Sequence, residues 1–144
     1  MYTLKKALGQ HFLKDESIIA NIVKTLQQEK FTRLLEVGPG GGALTKSLLS
    51  IPGIEFKAVE LDAEKVDYLH MKFPVLKDKI IHQNFFDMEM PFQESFILIG
   101  NFPYNISSQI LFKALEWKDQ LPVIIGMFQK EMAERIIASP GSKA

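Results

Sequence analysis

The sequence of 144 residues contains no cysteine and only three histidines, His11, His70 and His82. The absence of cysteine excludes disulfide bonds and thiolate metal ligands. The three histidines are scattered along the chain and form no ligand motif, so we expect no metal site.

The sequence also lacks a long apolar stretch. No run approaches the roughly 18 residues that a membrane-spanning helix needs, and the N-terminus lacks the apolar core of a secretion signal. We therefore expect a cytoplasmic protein that does not contact a membrane.

The chain has no net charge, since 17 basic residues balance 17 acidic ones. This balance argues against a uniformly basic surface for nucleic acid. The charge is uneven, however, because residues 1–33 contain six basic and three acidic side chains. A solvated helix face is the simpler explanation for this excess, which also mildly favours an RNA partner.

Apolar residues make up 47% of the chain and charged residues 24%, which is typical of one globular domain. After a basic N-terminal segment, residues 1–16, apolar spacing predicts a helix with Ser17 or Asp15 as its cap. Short apolar runs then alternate with helical patterns, which predicts a mainly parallel, doubly wound α/β sheet. The predicted strands are residues 33–37, 56–61, 79–82, 96–100 and 123–128, and the predicted helices are residues 43–50, 63–72, 106–117 and 130–138.

A glycine-rich loop follows the first predicted strand, at the edge where parallel sheets bind their ligands. The sequence LLEVGPGGGAL, residues 34–44, has glycines at positions 38, 40, 41 and 42. Glycine permits positive φ and lets a ligand approach the backbone closely. The spacing of Gly38, Gly40 and Ala43 fits the loose dinucleotide fingerprint, so the loop alone does not separate NAD from S-adenosylmethionine.

Polar residues follow the neighbouring strands at the same edge. Glu60 ends the second strand twenty residues after Gly40, where a carboxylate can accept from ribose hydroxyls. Glu36, at the end of the first strand, is expected to brace the loop or to lie near the amino acid part of the cofactor. After the third strand, Asn84 or Asp87 is placed to accept from an adenine amino group, and Asn84 follows the strand more closely.

The sequence GNFPYNISS, residues 100–108, follows the fourth strand. Methyl transfer to an adenine amine requires that this poor nucleophile be held in line with the donor. The side-chain oxygen of Asn101 and a main-chain carbonyl at Phe102 or Pro103 would each accept one amine N–H. The proline would direct those carbonyls, and Tyr104 would stack on the extruded base. An ordinary connection, in which asparagine caps and proline breaks, is the alternative for this segment alone.

In combination these motifs resemble the ribosomal RNA adenine N6-dimethyltransferases that act on small-subunit RNA. The resemblance covers nearly the whole chain and rests on KKALGQHFLKD, LLEVGPGGGALT, AVELD, NFPYNISS, MFQKEMAERI and the terminal PGSKA. It implies a Rossmann-like class I methyltransferase fold. It also implies S-adenosylmethionine-dependent dimethylation of two adjacent adenosines in small-subunit rRNA, within an immature ribosomal subunit.

The resemblance further implies roles for individual residues. The ribose would be held by Glu60, the adenine by Asn84, and the methionine side would be lined by His11 and Leu13. The implied cofactor-binding residues are His11, Leu13, Gly38, Gly40, Glu60, Asn84 and Asn101. The implied catalytic residues, which would hold the target base, are Asn101, Pro103 and Tyr104.

Two positions depart from the family pattern. The usual Q-N-F is Q-H-F here, at His11, and the usual acid at position 84 is an amide, Asn84. An amide oxygen still accepts from the adenine amino group but without charge assistance, so weaker cofactor binding is expected.

The family continues past PGSK into two more strands and a helical domain. We therefore interpret residues 1–144 as an incomplete catalytic domain that binds S-adenosylmethionine and lacks those parts. Residues 123–128 would then be an exposed apolar sheet edge, prone to pairing or aggregation. Cofactor binding is expected to survive this truncation, whereas efficient methylation is not, and the full-length protein is expected to be a monomer.

Other functions remain open from the sequence. A protein of the same fold could bind ribosomal RNA as an assembly factor, with methylation secondary. The antibiotic-resistance methyltransferases that act on large-subunit RNA share the N-x-P-Y motif. A dehydrogenase with NAD in the same loop is disfavoured, because no catalytic histidine or Tyr/Lys pair follows the strands.

Overall fold

The computed structural model describes residues 16–101, 107–127 and 133–137. Within these ranges no helix is long and apolar enough to cross a bilayer. The described helices are α1 (Glu16–Gln27), α2 (Ala43–Leu48), α3 (Ala63–Lys72) and α4 (Ser107–Leu115), with short 3-10 turns at Pro74–Leu76 and Phe85–Asp87. The described strands are β1 (Arg33–Val37), β2 (Glu55–Glu60), β3 (Ile80–His82), β4 (Ile97–Asn101), β5 (Val123–Met127) and β6 (Ala133–Ile137).

The strands form one sheet in the order β3-β2-β1-β4-β5-β6. The first five strands are parallel, and β6 is antiparallel to β5. The chain moves outward from β1 to β3 and then returns to place β4 on the other side of β1. The switch point between β1 and β4 is where ligands bind in sheets of this type. The predicted mainly parallel, doubly wound sheet is confirmed.

The first core lies between one face of the sheet and helices α1, α2 and α3. Side chains alternate between the two faces of a strand, so Leu34 and Ile99 point to this side. Ile22 of α1, Leu48 of α2 and Leu69 of α3 are buried against them. The apolar spacing in α1 follows a helical period, which explains why the sequence pattern identified this helix.

The second core lies on the opposite face, under α4 and the segment of residues 85–96. Leu35 and Leu98 of the sheet point into it. Its centre is Trp117, whose ring meets Phe96 with 5.9 Å between centroids and Phe85 edge-on at 5.7 Å. Edge-on and tilted contacts between aromatic rings add to the stabilisation from burial. Both faces of the sheet are therefore covered, as the continuous apolar strands predicted.

One helix start has a side-chain cap that was not predicted, and the predicted cap of another is not confirmed. The Asp62 side chain accepts a hydrogen bond of 2.9 Å from Glu64 N and caps α3. Helix α1 begins at Glu16, so Ser17 lies inside it and is not its cap, and Asp15 lies outside the described residues. The bounds of β1 and α3 agree with the sequence patterns, and the other predicted elements shift by one or two residues at their ends, apart from the last predicted helix.

The prediction of a helix over residues 130–138 is wrong for the part that the structure describes. Residues 133–137 form β6, in which Ile136 is in register with Ile124 and Ile137 with Val123. An edge strand leaves a row of N–H and C=O groups unpaired, and β-branched residues such as Ile136 and Ile137 suit a strand that covers it. This pairing overrides the helical pattern of the segment. For the same reason, the prediction that β5 is an unpaired edge is wrong.

Candidate functional site

The carboxyl ends of β2, β1 and β4 lie level with one another at the switch point. Val37, the last residue of β1, is in register with the second-to-last residues of β2 and β4. Gly38 therefore lies level with Glu60 on one side and with Asn101 on the other. Neighbouring strands are about 4.8 Å apart, so the backbones of Glu60 and Asn101 are separated by about 10 Å across β1. The sheet thus brings together three of the residues that the sequence singled out.

The glycine loop has a backbone conformation that side chains disfavour. Gly38 has a φ of 67° and Gly40 a φ of 57°. Among the described residues, a Cβ atom built at Gly38 would meet no heavy atom within 4 Å, so these residues leave the space beside this backbone open. Gly38 N also donates to Val59 O over 2.9 Å, which continues the hydrogen bonding between β1 and β2 into the loop. A ligand can therefore lie directly against the backbone here.

The carboxylate of Glu60 braces this loop. Its Oε1 accepts from Gly40 N and its Oε2 from Asp62 N, both over 3.1 Å. Glu60 is 8% exposed, so these hydrogen bonds form in a largely water-excluded place. Each carboxylate oxygen has a further lone pair, which leaves Glu60 able to accept from a ligand as well.

The far end of the loop packs against the end of α3. Gly42 has a φ of 85° and precedes α2 as its N-terminal cap residue. A Cβ atom at this position would lie 2.6 Å from Cε2 of Phe73 and 3.2 Å from Cδ2 of Leu69. The glycine is therefore required both by backbone conformation and by the close approach of an aromatic ring.

Glu36 is buried beneath the loop and is 2% exposed. Its Oε1 accepts a hydrogen bond of 2.5 Å from Oγ1 of Thr45, a fully buried residue in the first turn of α2. Burial raises the pKa of Glu36 to about 8; the Thr45 hydrogen bond opposes this rise, and the negative charge of Glu60 adds to it. This shift favours the protonated form of Glu36. It joins β1 to α2, whereas the hydrogen bond to the loop comes from Glu60.

Asn84 extends the row of site residues beyond β2. His82 of β3 is in register with Glu60, and Asn84 follows two residues later. The Asn84 side chain accepts from Phe86 N over 2.9 Å and so begins the short turn Phe85–Asp87. Asn84 is half-buried, and its amide oxygen keeps a second lone pair for a ligand. The alternative residue, Asp87, is exposed at the end of that turn.

Several predicted site residues cannot be compared with the structure. Asn101 is the last residue of β4, in register with Met127, and this describes its backbone alone. In the described ranges no three His, Asp or Glu side chains are grouped as a metal site would require. The predicted site residues that lie outside the described residues are His11, Leu13, Pro103 and Tyr104.

Two residues that hold the ends of the loop in place, Thr45 and Phe73, were not predicted from the sequence. Thr45 stood in the quoted motif LLEVGPGGGALT, but a single threonine in a helical stretch does not reveal a buried partner. Phe73 stood at the end of a predicted helix, thirty-one positions from Gly42, with no local signal that the two meet. A glycine that would clash as alanine becomes recognisable only when the neighbouring element is in place.

The fold and this edge site define a Rossmann-like α/β domain of the methyltransferase class. The crystal structure of the 23S rRNA methyltransferase ErmE is similar, with a TM-score of 0.65 and 27% identity, over 78% of this chain and 46% of that one. A dimethyladenosine transferase from Plasmodium falciparum shares the fold, with a TM-score of 0.65 and 22% identity, over 81% of this chain and 42% of that one. The chain belongs to the family described as ribosomal RNA adenine dimethylase, whose profile matches residues 1–144.

Curated relatives are similar over nearly the whole chain. A protein of Flavobacterium johnsoniae named Ribosomal RNA small subunit methyltransferase A is 52% identical over 142 residues. One of the same name from Parabacteroides distasonis is 54% identical over 141 residues. Both matches cover 96% of this chain, but only 54% and 53% of the two relatives. The chain therefore spans about half the length of the curated relatives it matches.

Proposed function

We propose that the whole protein uses S-adenosylmethionine to dimethylate the N6 amines of two adjacent adenosines in small-subunit ribosomal RNA. The observation that carries the proposal is the match of 96% of the chain, at 52% and 54% identity, to relatives named Ribosomal RNA small subunit methyltransferase A. The proposal is supported by the positions of Gly38, Glu60 and Asn101, which lie level with one another at the carboxyl ends of neighbouring strands. In this proposal the protein acts as a cytoplasmic monomer on an immature small subunit.

The described residues fit the proposed cofactor. The open space beside Gly38 is where a Cβ atom would stand in any other residue, and it admits a ligand against the backbone. The site residues at the carboxyl ends of β3, β2, β1 and β4 lie along one edge of the sheet. This edge spans three strand spacings, about 14 Å, a length that suits a nucleoside joined to an amino acid. When bound, the cofactor supplies an electrophilic methyl group on its sulfonium.

Different residues of the site contact different parts of the cofactor in this proposal. The remaining lone pairs of Glu60 accept from the two ribose hydroxyls, and the amide oxygen of Asn84 accepts from the adenine amino group. The backbones of Gly38 and Gly40 lie beside the methionine part. We assign the other side of the methionine part to two residues of the N-terminal segment, His11 and Leu13.

Methyl transfer to the target amine depends on two hydrogen-bond acceptors that orient the amine, and it does not require a strong base. The lone pair of an adenine amine is delocalised into the ring, so the amine reacts only when it is held in line with the methyl group. We assign the two acceptors to the side-chain oxygen of Asn101 and a main-chain carbonyl at Phe102 or Pro103. Tyr104 stacks on the base. Stacking of a base on an aromatic side chain contributes about 1–3 kcal/mol to the binding free energy. The position of Asn101 at the end of β4, beside Gly38, supports this assignment.

The choice of small-subunit over large-subunit RNA follows from the degree of similarity. The 23S rRNA methyltransferase ErmE is 27% identical to the chain, whereas the small-subunit methyltransferases are about twice as similar. An assembly factor that binds the same RNA without depending on methylation is the second candidate. An assembly factor differs from the proposed enzyme in one measurable respect. If methyl transfer were lost, an assembly factor would still support assembly of the small subunit.

The proposal is tested with labelled S-adenosylmethionine and immature small subunits. The enzyme is the chain extended by the C-terminal half of the Flavobacterium johnsoniae relative, because this chain spans 54% of that protein. We expect label in two adjacent adenosines of the small-subunit RNA and none in large subunits. Label in large subunits alone would support the resistance type of enzyme and contradict the proposal.

The Asn101→Ala variant tests the assigned acceptor separately from RNA binding. We expect loss of methyl transfer with retained binding to the immature subunit, because the amide oxygen orients the amine and does not anchor the RNA. Asn105→Ala, a change of the second asparagine in the same motif, is the matched control. Full methyl transfer by Asn101→Ala would show that the assigned acceptor is wrong.

A further inference from the structure

Trp117 is the one tryptophan of the chain, and the proposed function assigns no role to it. It is 5% exposed and lies in the turns that follow α4, where its backbone N–H donates to Ala114 O over 2.9 Å. The Nζ atom of Lys113 lies 5.1 Å from the centre of its ring, and the ring of Phe96, directly before β4, lies 5.9 Å away. Trp117 is therefore held in place by both its backbone and its ring.

Phe85 connects Trp117 to the predicted adenine side of the site. The two rings meet edge-on, with their centroids 5.7 Å apart and their planes at 86°. Phe85 is 6% exposed and directly follows Asn84 in the sequence. The residue next to the proposed adenine ligand is thus anchored in the second core, against a ring that belongs to another element.

The turn that begins at Asn84 receives little support from the sheet. It follows β3, which has three residues and, among the described strands, pairs only with β2. A strand this short forms few hydrogen bonds to its neighbour. Phe85 and Met88, in contrast, are both buried in the second core. The position of the turn therefore depends on how these side chains pack.

The same turn determines which way the amide of Asn84 points. Its Oδ1 accepts from Phe86 N, and its backbone oxygen accepts from Asp87 N, both over 2.9 Å. If the amide were turned over, its NH2 group would face the N–H of Phe86, and two donors would meet. The amide oxygen is therefore fixed as the group nearest the turn, and its second lone pair matches an amino group and opposes a carbonyl.

We propose that Trp117 is a positioning residue that acts through Phe85, and that it holds Asn84 where its amide oxygen selects an amino group over a carbonyl on the base of the cofactor. This inference rests on the proposed function, because it requires the adenine to lie beside Asn84. A hydrogen bond weakens steeply with distance and angle, so a small shift of the turn is enough to reduce the selection. Removing either ring leaves space into which the turn relaxes.

The test compares two ligands that differ in this group of the base. S-adenosylhomocysteine carries the amino group, and S-inosylhomocysteine carries a carbonyl in its place. Each is titrated calorimetrically into the 144-residue chain. We expect the adenosyl ligand to bind about tenfold more tightly or better, because the carbonyl would face the oxygen of Asn84. Phe85→Leu and Trp117→Leu should each reduce this preference to roughly threefold or less, whereas Trp117→Phe, which keeps an aromatic ring, should retain it.

The matched control is Phe92→Leu, which removes a ring of the same kind from the same core. Phe92 is also 6% exposed, but its ring pairs with Phe96, at 5.2 Å between centroids, and it lies outside the turn that begins at Asn84. A general loss of packing would affect the two ligands alike, so we expect Phe92→Leu to keep the full preference. Asn84→Ala should abolish the preference, and adding Trp117→Leu to it should produce no further change.

The outcomes separate this inference from the proposed function. Chemical denaturation establishes that each titrated variant is folded, and Phe85→Leu carries the comparison if Trp117→Leu does not fold. A full preference in the folded leucine variants, or an equal loss in Phe92→Leu, would overturn the inference and leave the cofactor site intact. Equal binding of both ligands by the unchanged chain would contradict the role of Asn84 and the inference with it. Absence of any binding by the unchanged chain would overturn the cofactor site itself.

Discussion

Glu60 Oε1 accepts the backbone N–H of Gly40, twenty residues earlier in the sequence, over 3.1 Å. The same carboxylate accepts from Asp62 N through its other oxygen. One side chain at the end of β2 therefore determines the position of the glycine loop after β1 and of the start of α3. The residue proposed to hold the ribose also holds the loop against which the cofactor would lie.

Replacing Glu60 with glutamine is expected to weaken both the fold and cofactor binding. The amide has one acceptor oxygen, so its NH2 group would face one of the two backbone N–H donors. Hydrogen bonds to charged groups are worth about 1.5–3 kcal/mol, and we expect a loss of stability of that order, with at least roughly tenfold weaker binding of S-adenosylmethionine. Chemical denaturation and calorimetric titration measure the two effects. The control is Glu64→Gln, an exposed glutamate of the same segment, which should change stability by only a few tenths of a kcal/mol.

Gly42→Ala is expected to destabilise the protein more than Gly53→Ala. Both glycines have positive φ, 85° and 76°, so both substitutions carry a similar backbone cost. A Cβ atom at Gly42 would also lie 2.6 Å from Phe73, whereas one at Gly53 would meet no atom of the described residues within 4 Å. Overpacking of this kind costs about 1–3 kcal/mol, which denaturation should show as the difference between the variants. The double variant Gly42→Ala with Phe73→Leu should recover part of this loss, and equal stability of the two single variants would contradict the contact.

Glu36→Gln is expected to change how stability depends on pH. Burial raises the pKa of Glu36 from its ordinary value of 4.5 to about 8 in the folded protein, so the folded state binds the proton more tightly. The stabilisation from this group is complete below pH 4.5 and is lost as the pH rises to about 8, at up to about 1.4 kcal/mol per pH unit. Glutamine has no proton to lose, so the variant should gain stability relative to the unchanged chain over this window. Parallel pH profiles from thermal unfolding would show that Glu36 is already ionised.

Asn84→Asp is expected to strengthen cofactor binding. The carboxylate can accept from Phe86 N as the amide does, so the short turn after β3 is preserved. A charged acceptor forms a hydrogen bond roughly twice as strong as a neutral one, which corresponds to an affinity gain of about threefold to tenfold. Titration with S-adenosylmethionine measures this gain, and Asn84→Ala should move the affinity in the opposite direction. An unchanged affinity in both variants would place the adenine away from residue 84.

The elements near the proposed site were predictable because their signals are local. The apolar run of β1 and the helical spacing of α3 gave the correct bounds for both elements. The glycines after β1 and the acid at the end of β2 were recognised from spacing alone, and the parallel sheet aligns them at one edge. The predicted helix over residues 130–138 failed because the pairing of β6 with β5 depends on a neighbouring strand and not on the segment itself.

The order of residues along the chain was enough to indicate the alternation of strands and helices, the glycine loop, and the polar residues at the ends of the strands. These features depend on side-chain periodicity and backbone freedom, which are properties of a few consecutive residues. Three contacts became visible only in the folded protein: Glu60 braces the loop, Glu36 is buried against Thr45, and Phe73 lies against Gly42. Each of these contacts joins residues that are 9 to 31 positions apart, and its energy depends on burial and on close approach between elements. Those quantities arise only when the sheet and its helices have packed together.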